Sequence, residues 1–234
     1  MSLSRRGLLG AGLALPLVAR GTAGRAPDEV DLQLVLAVDT SRSVDAVEFD
    51  LQRRGYADAL TAPAVLRAIA SGEHGRIAVA YVEWSGGEQQ QTVAPWTAVG
   101  SRTEAGALAD AILGAPRAFA GYTSISGALL HSLMLFRNCP FACERKVVDV
   151  SGDGVNNSGR SLGQVRDTVV AAGITINGLP IINDRPNPYG RVDPKLDEYY
   201  QEQVIGGEGS FSIVADSFES FGAAVLSKLI REIA

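Results

Sequence analysis

The stretch Leu32 to Ser43, read L-Q-L-V-L-A-V-D-T-S-R-S, constrains this chain more than any other. Val and Leu occupy both pleat faces of the run, which suits a parallel strand covered by helices on each side. The run ends abruptly in Asp39, Ser41 and Ser43. Open α/β sheets place their ligands at the C-terminal ends of such strands. One carboxylate and two hydroxyls at alternate positions are hard oxygen donors, suited to Mg²⁺, Mn²⁺ or Ca²⁺ and not to a soft metal. The same residues also fit a helix start, with Ser43 or Asp45 as cap and Glu48 three residues after Asp45. The two readings are compatible.

The remainder alternates strands and helices. Asp45–Leu60 reads as a helix with Val47, Leu51 and Ala59 on its apolar stripe, and a short helix follows Pro63. Arg76–Trp84 reads as the second strand. Gln89–Trp96 is more polar and follows a Ser85-Gly86-Gly87 turn. That link is too short for a crossover helix, so this strand is an antiparallel edge. Ser101–Leu113 is a helix with a capping box from Ser101 and Glu104. A second helix runs from Gly121-Tyr122-Thr123-Ser124 to Phe136. Arg145–Val150 is a strand ending in Ser151-Gly152-Asp153-Gly154. Ser161–Ala172 is a helix, Ile174–Ile182 a strand, Asn183–Pro194 a loop and Lys195–Val204 a polar helix. Ser210–Ala215 reads as the last strand and Phe218–Ile233 as the closing helix. The pattern specifies an α/β domain, doubly wound, with a mostly parallel open sheet of Rossmann type, one antiparallel edge strand and helices on both faces. No break in composition divides residues 31–234.

Residues 4–9 read S-R-R-G-L-L and lead into a Gly/Ala/Leu-rich stretch to Ala19. This resembles a twin-arginine export signal spanning 1–23, with small residues Gly21 and Ala23 ahead of a cleavage point. The apolar part is too short for a membrane span, so no stable span is expected after cleavage. Residues 24–30 read as a flexible lead-in. The setting this implies is the periplasm, with an N-terminal inner-membrane anchor as the alternative. Removing 1–23 takes away Arg5, Arg6 and Arg20 and no acid, leaving 18 basic against 26 acidic residues, a net charge of −8. An acidic domain without a basic stripe argues against nucleic acid as a partner. Cys139 and Cys143 frame C-P-F-A-C, and in an oxidising compartment a disulfide is the natural reading.

Oxygen donors thus recur at three places: Asp39, Ser41 and Ser43 after the first strand, Thr123 at a helix start, and Asp153 after the strand Arg145–Val150. With D-T-S-R-S at 39–43, G-Y-T-S at 121–124 and S-G-D-G at 151–154 in this order, the chain resembles a von Willebrand factor type A domain, in an exported bacterial branch. The resemblance covers residues 30–234. It implies a metal-ion-dependent adhesion site (MIDAS) in which Asp39, Ser41, Ser43, Thr123 and Asp153 hold Mg²⁺, or Mn²⁺ or Ca²⁺, directly or through water. It also implies an open position for a carboxylate presented by a protein partner. One departure stands out: Ser151-Gly152 precedes Asp153 where many relatives place a Thr directly before that Asp.

Each residue also has a plainer role open to it. Thr123 can be only a helix cap, Asp153-Gly154 an ordinary turn, and Asp149 a buried acid that needs a partner. His131 and the two tryptophans, Trp84 and Trp96, read as structural. An enzyme, such as a metal-dependent hydrolase on the same scaffold, finds little support. There is no Walker A motif, and Ser41 stands where an aspartate-nucleophile phosphatase has its second Asp. A purely structural domain is the third reading. Replacing Arg5 and Arg6 with Lys should leave unprocessed precursor in the cytoplasm. Normal processing of that variant in cells lacking the twin-arginine translocase would refute the export signal.

Overall fold

The computed structural model describes residues 28–182 and 195–234. The expected signal 1–23 and loop Asn183–Pro194 lie outside the described residues. The elements run β1 (Gln33–Asp39), α1 (Ala46–Thr61), α2 (Pro63–Ala70), β2 (Ile77–Trp84), β3 (Gln90–Val99), α3 (Arg102–Gly114) and α4 (Ile125–Arg137). They continue with β4 (Lys146–Gly152), α5 (Leu162–Ala171), β5 (Thr175–Pro180), α6 (Leu196–Tyr199) extended by a π-helical turn Tyr200–Val204, and α7 (Phe221–Ile233).

The five strands form one sheet in the order β3-β2-β1-β4-β5. Only β3 is antiparallel, pairing with β2. All residues of β1 and β2 are buried, as expected for central strands covered on both faces. Leu34, Leu36 and Val38 of β1 pack with α1, α2, α3 and α7 on one face. Val35 and Ala37 pack with α4, α5 and α6 on the other. The chain is therefore doubly wound. β1 and β4 are neighbours whose following helices, α1 and α5, go to opposite faces. The crevice between their C-terminal ends is the topological switch point of the sheet.

Three expectations need correcting. Ser210–Ala215 does not form a regular strand; it touches β5 and its end through isolated parallel bridges, Gly178–Ser212 and Ile181–Ala215. Gly178 N donates to Phe211 O and Ala215 N donates to Pro180 O, but between them the ladder lacks a donor because Pro180 has no N–H. The lead-in 24–30 is pinned over its last three residues: Val30 N donates to Ala142 O, Ala142 N donates to Asp28 O, and Val30 is buried. Cys139 and Cys143 are both free thiols, half-buried and unbridged. Cys143 Sγ is turned to the Arg145 carbonyl at 3.1 Å, and burial pushes both thiols up, which keeps them protonated at neutral pH.

The acid inside β4 has the partner it requires. Asp149 Oδ1 lies 2.7 Å from Nζ of Lys228 on α7, and both side chains are fully buried. The same ammonium also pairs with Glu232, one helical turn on. Glu232 accepts a further hydrogen bond from Asn177 of β5 at 2.9 Å. Two carboxylates share one cation, so burial and then the charge of Glu232 push Asp149 up to about 7 despite Lys228. Substituting Lys228→Met leaves the two acids without a counter-charge. At pH 8 the variant should lose about 3–5 kcal/mol in urea unfolding. The raised Asp149 carboxyl holds a proton in the folded state that the unfolded chain releases above about pH 4. Lowering the pH toward 5 should therefore shrink the deficit. A deficit independent of pH would mean that the lysine stem's packing, and not its charge, is what the fold uses.

Candidate metal centre

Asp39 closes β1 and is fully buried. Its Oδ1 accepts the backbone N–H of Ser41 at 2.7 Å, a local side-chain turn that directs the chain out of the sheet. Its Oδ2 is buried and has no hydrogen-bond partner. Ser41 Oγ and Ser43 Oγ are 3.0 Å apart, and Ser43 Oγ donates to Asp153 Oδ1 at 2.6 Å. Two ligands at right angles on an octahedral Mg²⁺, each about 2.1 Å from the ion, are separated by about 3.0 Å. The hydroxyl pair is thus spaced as two adjacent corners of such an octahedron.

Helix capping does not compete for these donors. Asp45 caps α1, accepting from Val47 N and Glu48 N, while Glu48 Oε2 accepts from Asp45 N in a complete capping box. At α4 the cap is Ser124, whose Oγ accepts from Gly127 N at 3.1 Å, so the Thr123 hydroxyl is spared that duty. The Thr123 backbone is fixed from both sides: its N–H donates to Asn157 Oδ1, and its carbonyl accepts from Asn157 N and Ser158 N. Arg42 N donates to Gly121 O and joins the first loop to the second. A Cβ on Gly154 would stand 3.6 Å from Thr123 Oγ1, which brings the third loop against the second. The five predicted donors meet at the switch point.

The departure at Ser151-Gly152 also has a physical cause. A Cβ on Gly152 would lie 2.9 Å from Asp39 Oδ2 and 2.9 Å from the Tyr200 hydroxyl. Tyr200 fills the space that a larger residue before Asp153 would need, so glycine is required there. Ser151 points to the opposite face and accepts from the Tyr56 hydroxyl at 3.1 Å.

Two groups at the site carry no sequence signal. Tyr200 is one; its hydroxyl is buried without a partner beside Asp39 and Asp153. Arg117 is the other. Its guanidinium donates to the carbonyls of Thr40 at 2.9 Å, Ser41 at 3.1 Å and Val44 at 2.8 Å, and through Nε to Phe119. It also lies over the Phe49 ring. This fork clamps the back of the Asp39–Ser43 loop, and nothing in the loop sequence A-P-R-A-F-A marks it in advance.

Without a cation the site favours protons. Burial, then the charge of Asp153, raises Asp39 well above the usual carboxylate range. Burial pushes Asp153 up to about 6, against the pull of its Ser43 hydrogen bond. A divalent ion would reverse both shifts. Among the described residues no three His, Cys, Asp or Glu gather for a metal, so the donor set here depends on its hydroxyls. A cleft of about 100 Å³ opens beside Ser43 and Thr123, walled by Arg42, Gly121, Tyr122 and Asn157. Neither histidine reaches it: His131 Nε2 is 2.9 Å from Thr92 Oγ1, and His74 lies near Glu29 at the far end of the sheet. Gly159-Arg160-Ser161-Leu162-Gly163 has the spacing of a nucleophile elbow, but Ser161 sits exposed at the start of α5 with no strand leading into it.

The family model described as "Protein of unknown function (DUF1194)" matches residues 29–234, so the chain belongs to that family. No curated protein matches the sequence. Among solved structures, the pilus adhesin SpaC of Lactobacillus rhamnosus GG superposes with a TM-score of 0.63 at 15% identity, over 87% of this chain and 31% of the adhesin. A von Willebrand factor type A protein from Catenulispora acidiphila gives 0.61 at 14% identity, over 88% of this chain and 43% of that one. Proximal thread matrix protein 1 of the mussel byssus, in a form with a zinc-occupied MIDAS motif, gives 0.60 at 17% identity, over 88% and 47%. The chain spans less than half the length of each. The fold is the von Willebrand factor type A fold.

The clamp generates a prediction. Arg117→Lys keeps the charge but loses the fork. Amide hydrogen exchange across residues 40–45 should quicken roughly tenfold, the effect of weakening one charge-assisted contact. The global unfolding midpoint should hardly move. Unchanged exchange in that loop would remove Arg117 from the site's support.

Proposed function

We propose that this family member is a binding module that holds a divalent cation on Asp39, Ser41, Ser43, Thr123 and Asp153 and uses it to capture an acidic group of a protein partner. The observation that carries the reading is the unpartnered Oδ2 of Asp39, buried at the end of β1 in the crevice where the Ser41–Ser43 hydroxyl pair and Asp153 converge. A buried carboxylate oxygen without a partner is costly, and a cation satisfies it together with the hydroxyls. The donors are all hard oxygens, which suits Mg²⁺ or Mn²⁺, with Ca²⁺ as the larger alternative. The mussel protein carries zinc in its motif, but this set has no sulfur or imidazole that would give zinc an advantage. Bound, the ion supplies a positive centre with an open coordination position.

Among the described residues, the adjoining cleft favours this reading over an enzyme acting on a small molecule. Its volume, about 100 Å³, is well below the several hundred that enclose such a substrate. Cavities of about 630 and 690 Å³ lie at the other end of the strands, around Arg145, away from the metal donors. No histidine stands ready as a base at the crevice. The Arg5-Arg6 signal supports a periplasmic setting. Among the described residues, no helix is long and apolar enough to cross a membrane.

Calorimetry tests the cation site. Wild-type protein should take up Mg²⁺ and Mn²⁺, while Asp39→Ala and Ser41→Ala should lose that heat and keep a near-native unfolding midpoint. Identical heats in all three proteins would falsify the cation site and return these residues to turns and caps.

A further inference from the structure

Tyr122 is the most exposed large hydrophobic side chain among the described residues, at 69%. It sits between Gly121 and Thr123 and lines the small cleft beside the metal donors. Its backbone is held by hydrogen bonds on both sides. Its carbonyl accepts from Ser85 Oγ at 3.0 Å, and the same Oγ accepts from Gly121 N at 2.6 Å. The carbonyl before it accepts from Arg42 N, and the N–H after it donates to Asn157 Oδ1 at 2.9 Å. A Cβ on Gly121 would fall 3.0 Å from Ser85 Oγ and closer still to Gln89, so the turn presenting Tyr122 has no slack. A largely exposed aromatic ring carried on a hydrogen-bonded turn is pre-organised for contact, and tyrosine is enriched among the residues that dominate protein interfaces.

Resting on the cation reading above, we propose that Tyr122 is a second anchor for the partner. An extended protein segment places one carboxylate side chain on the cation and lays a neighbouring apolar or aromatic side chain on the Tyr122 ring. The cleft holds the equivalent of about three water molecules, room for one short side chain and not for a folded element. The side chain over Tyr122 is apolar and not basic, because a second cation there would face the metal.

The test uses the Mn²⁺-loaded protein and three capped tripeptides: acetyl-Gly-Asp-Gly-amide, acetyl-Gly-Asp-Phe-amide and acetyl-Phe-Asp-Gly-amide. At least one phenylalanine peptide should bind roughly five- to tenfold more tightly than the glycine peptide, the gain typical of an aromatic contact. Tyr122→Ala should erase that difference while leaving Mn²⁺ affinity and the glycine peptide's affinity unchanged, and Tyr122→Phe should retain it. Equal affinities for all three peptides, or a difference that survives Tyr122→Ala, would overturn the anchor and leave the cation reading standing. Failure of every peptide to bind the Mn²⁺-loaded protein would overturn carboxylate capture, and the anchor with it.

Discussion

Asp39 is a carboxylate at the end of a strand with no exposed residue, and only one of its oxygens is hydrogen-bonded within the protein. Much of the surrounding structure is arranged to keep it there. The Ser41 amide turns the chain at Oδ1, Gln52 of α1 holds the Asp39 carbonyl, and Arg117 secures the carbonyls of Thr40, Ser41 and Val44. Gly152 stands aside so that Tyr200 can close the crevice from the other face. An ionised carboxylate in such a place is unfavourable unless paired, which is why its proton affinity is raised. The strain is electrostatic and local. It sits where the doubly wound topology parts the helices and leaves a gap to fill.

The same strand pair carries a second buried charge system. Along one face of β4, Asp149 meets Lys228 and Glu232 of α7, and Ser151 meets Tyr56 of α1. Beyond Ser151 the chain turns through Gly152 into Asp153. Polar groups thus interrupt the apolar core between the sheet and α1 and α7, and they fix the register of both helices against β4. A purely apolar contact would tolerate sliding by a fraction of a turn. A lysine committed to two carboxylates and an asparagine committed to Glu232 and Phe211 does not. The loop that carries Asp153 is anchored through that register.

The sequence was informative wherever one short motif decided the outcome. The apolar run into Asp39 specified a covered parallel strand, Ser85-Gly86-Gly87 the antiparallel excursion, and Asp45 with Glu48 the start of α1. The positions of Asp39, Ser41, Ser43, Thr123 and Asp153 at one end of the sheet were legible because each follows a strand or opens a helix. What stayed hidden depended on contacts between distant segments. Arg117 lies in an unpatterned loop and acts on carbonyls more than seventy residues away, so no local rule exposes it. Tyr200 reads as an ordinary helical aromatic until Gly152 and Asp39 are placed beside it. Ser210–Ala215 has strand composition, but whether it pairs depends on a proline in another segment that removes one donor. Lys228 sits on the buried stripe of α7, where periodicity expects an apolar residue; only Asp149 explains it.

A charge count distinguishes a site that stores a cation from one that presents it. With both acids ionised, Asp39 and Asp153 balance a divalent ion, and the remaining donors, Ser41, Ser43 and Thr123, are neutral. Glu48, the other acid close by, is engaged in the capping box at the positive end of α1. Arg117 adds a positive charge behind the loop. A loaded site would therefore be close to neutral overall, whereas a cage of three or four carboxylates would bind the ion more tightly but leave a net negative charge that repels an anionic ligand. An ion with an open position attracts an anion, and attraction alone is not selective. Selectivity has to come from groups beside the ion that are rigid before the partner arrives. The turn Gly121-Tyr122-Thr123 would meet that requirement: under the proposed reading Thr123 is a donor to the ion, and Tyr122 just before it presents a largely exposed ring on the same hydrogen-bonded frame.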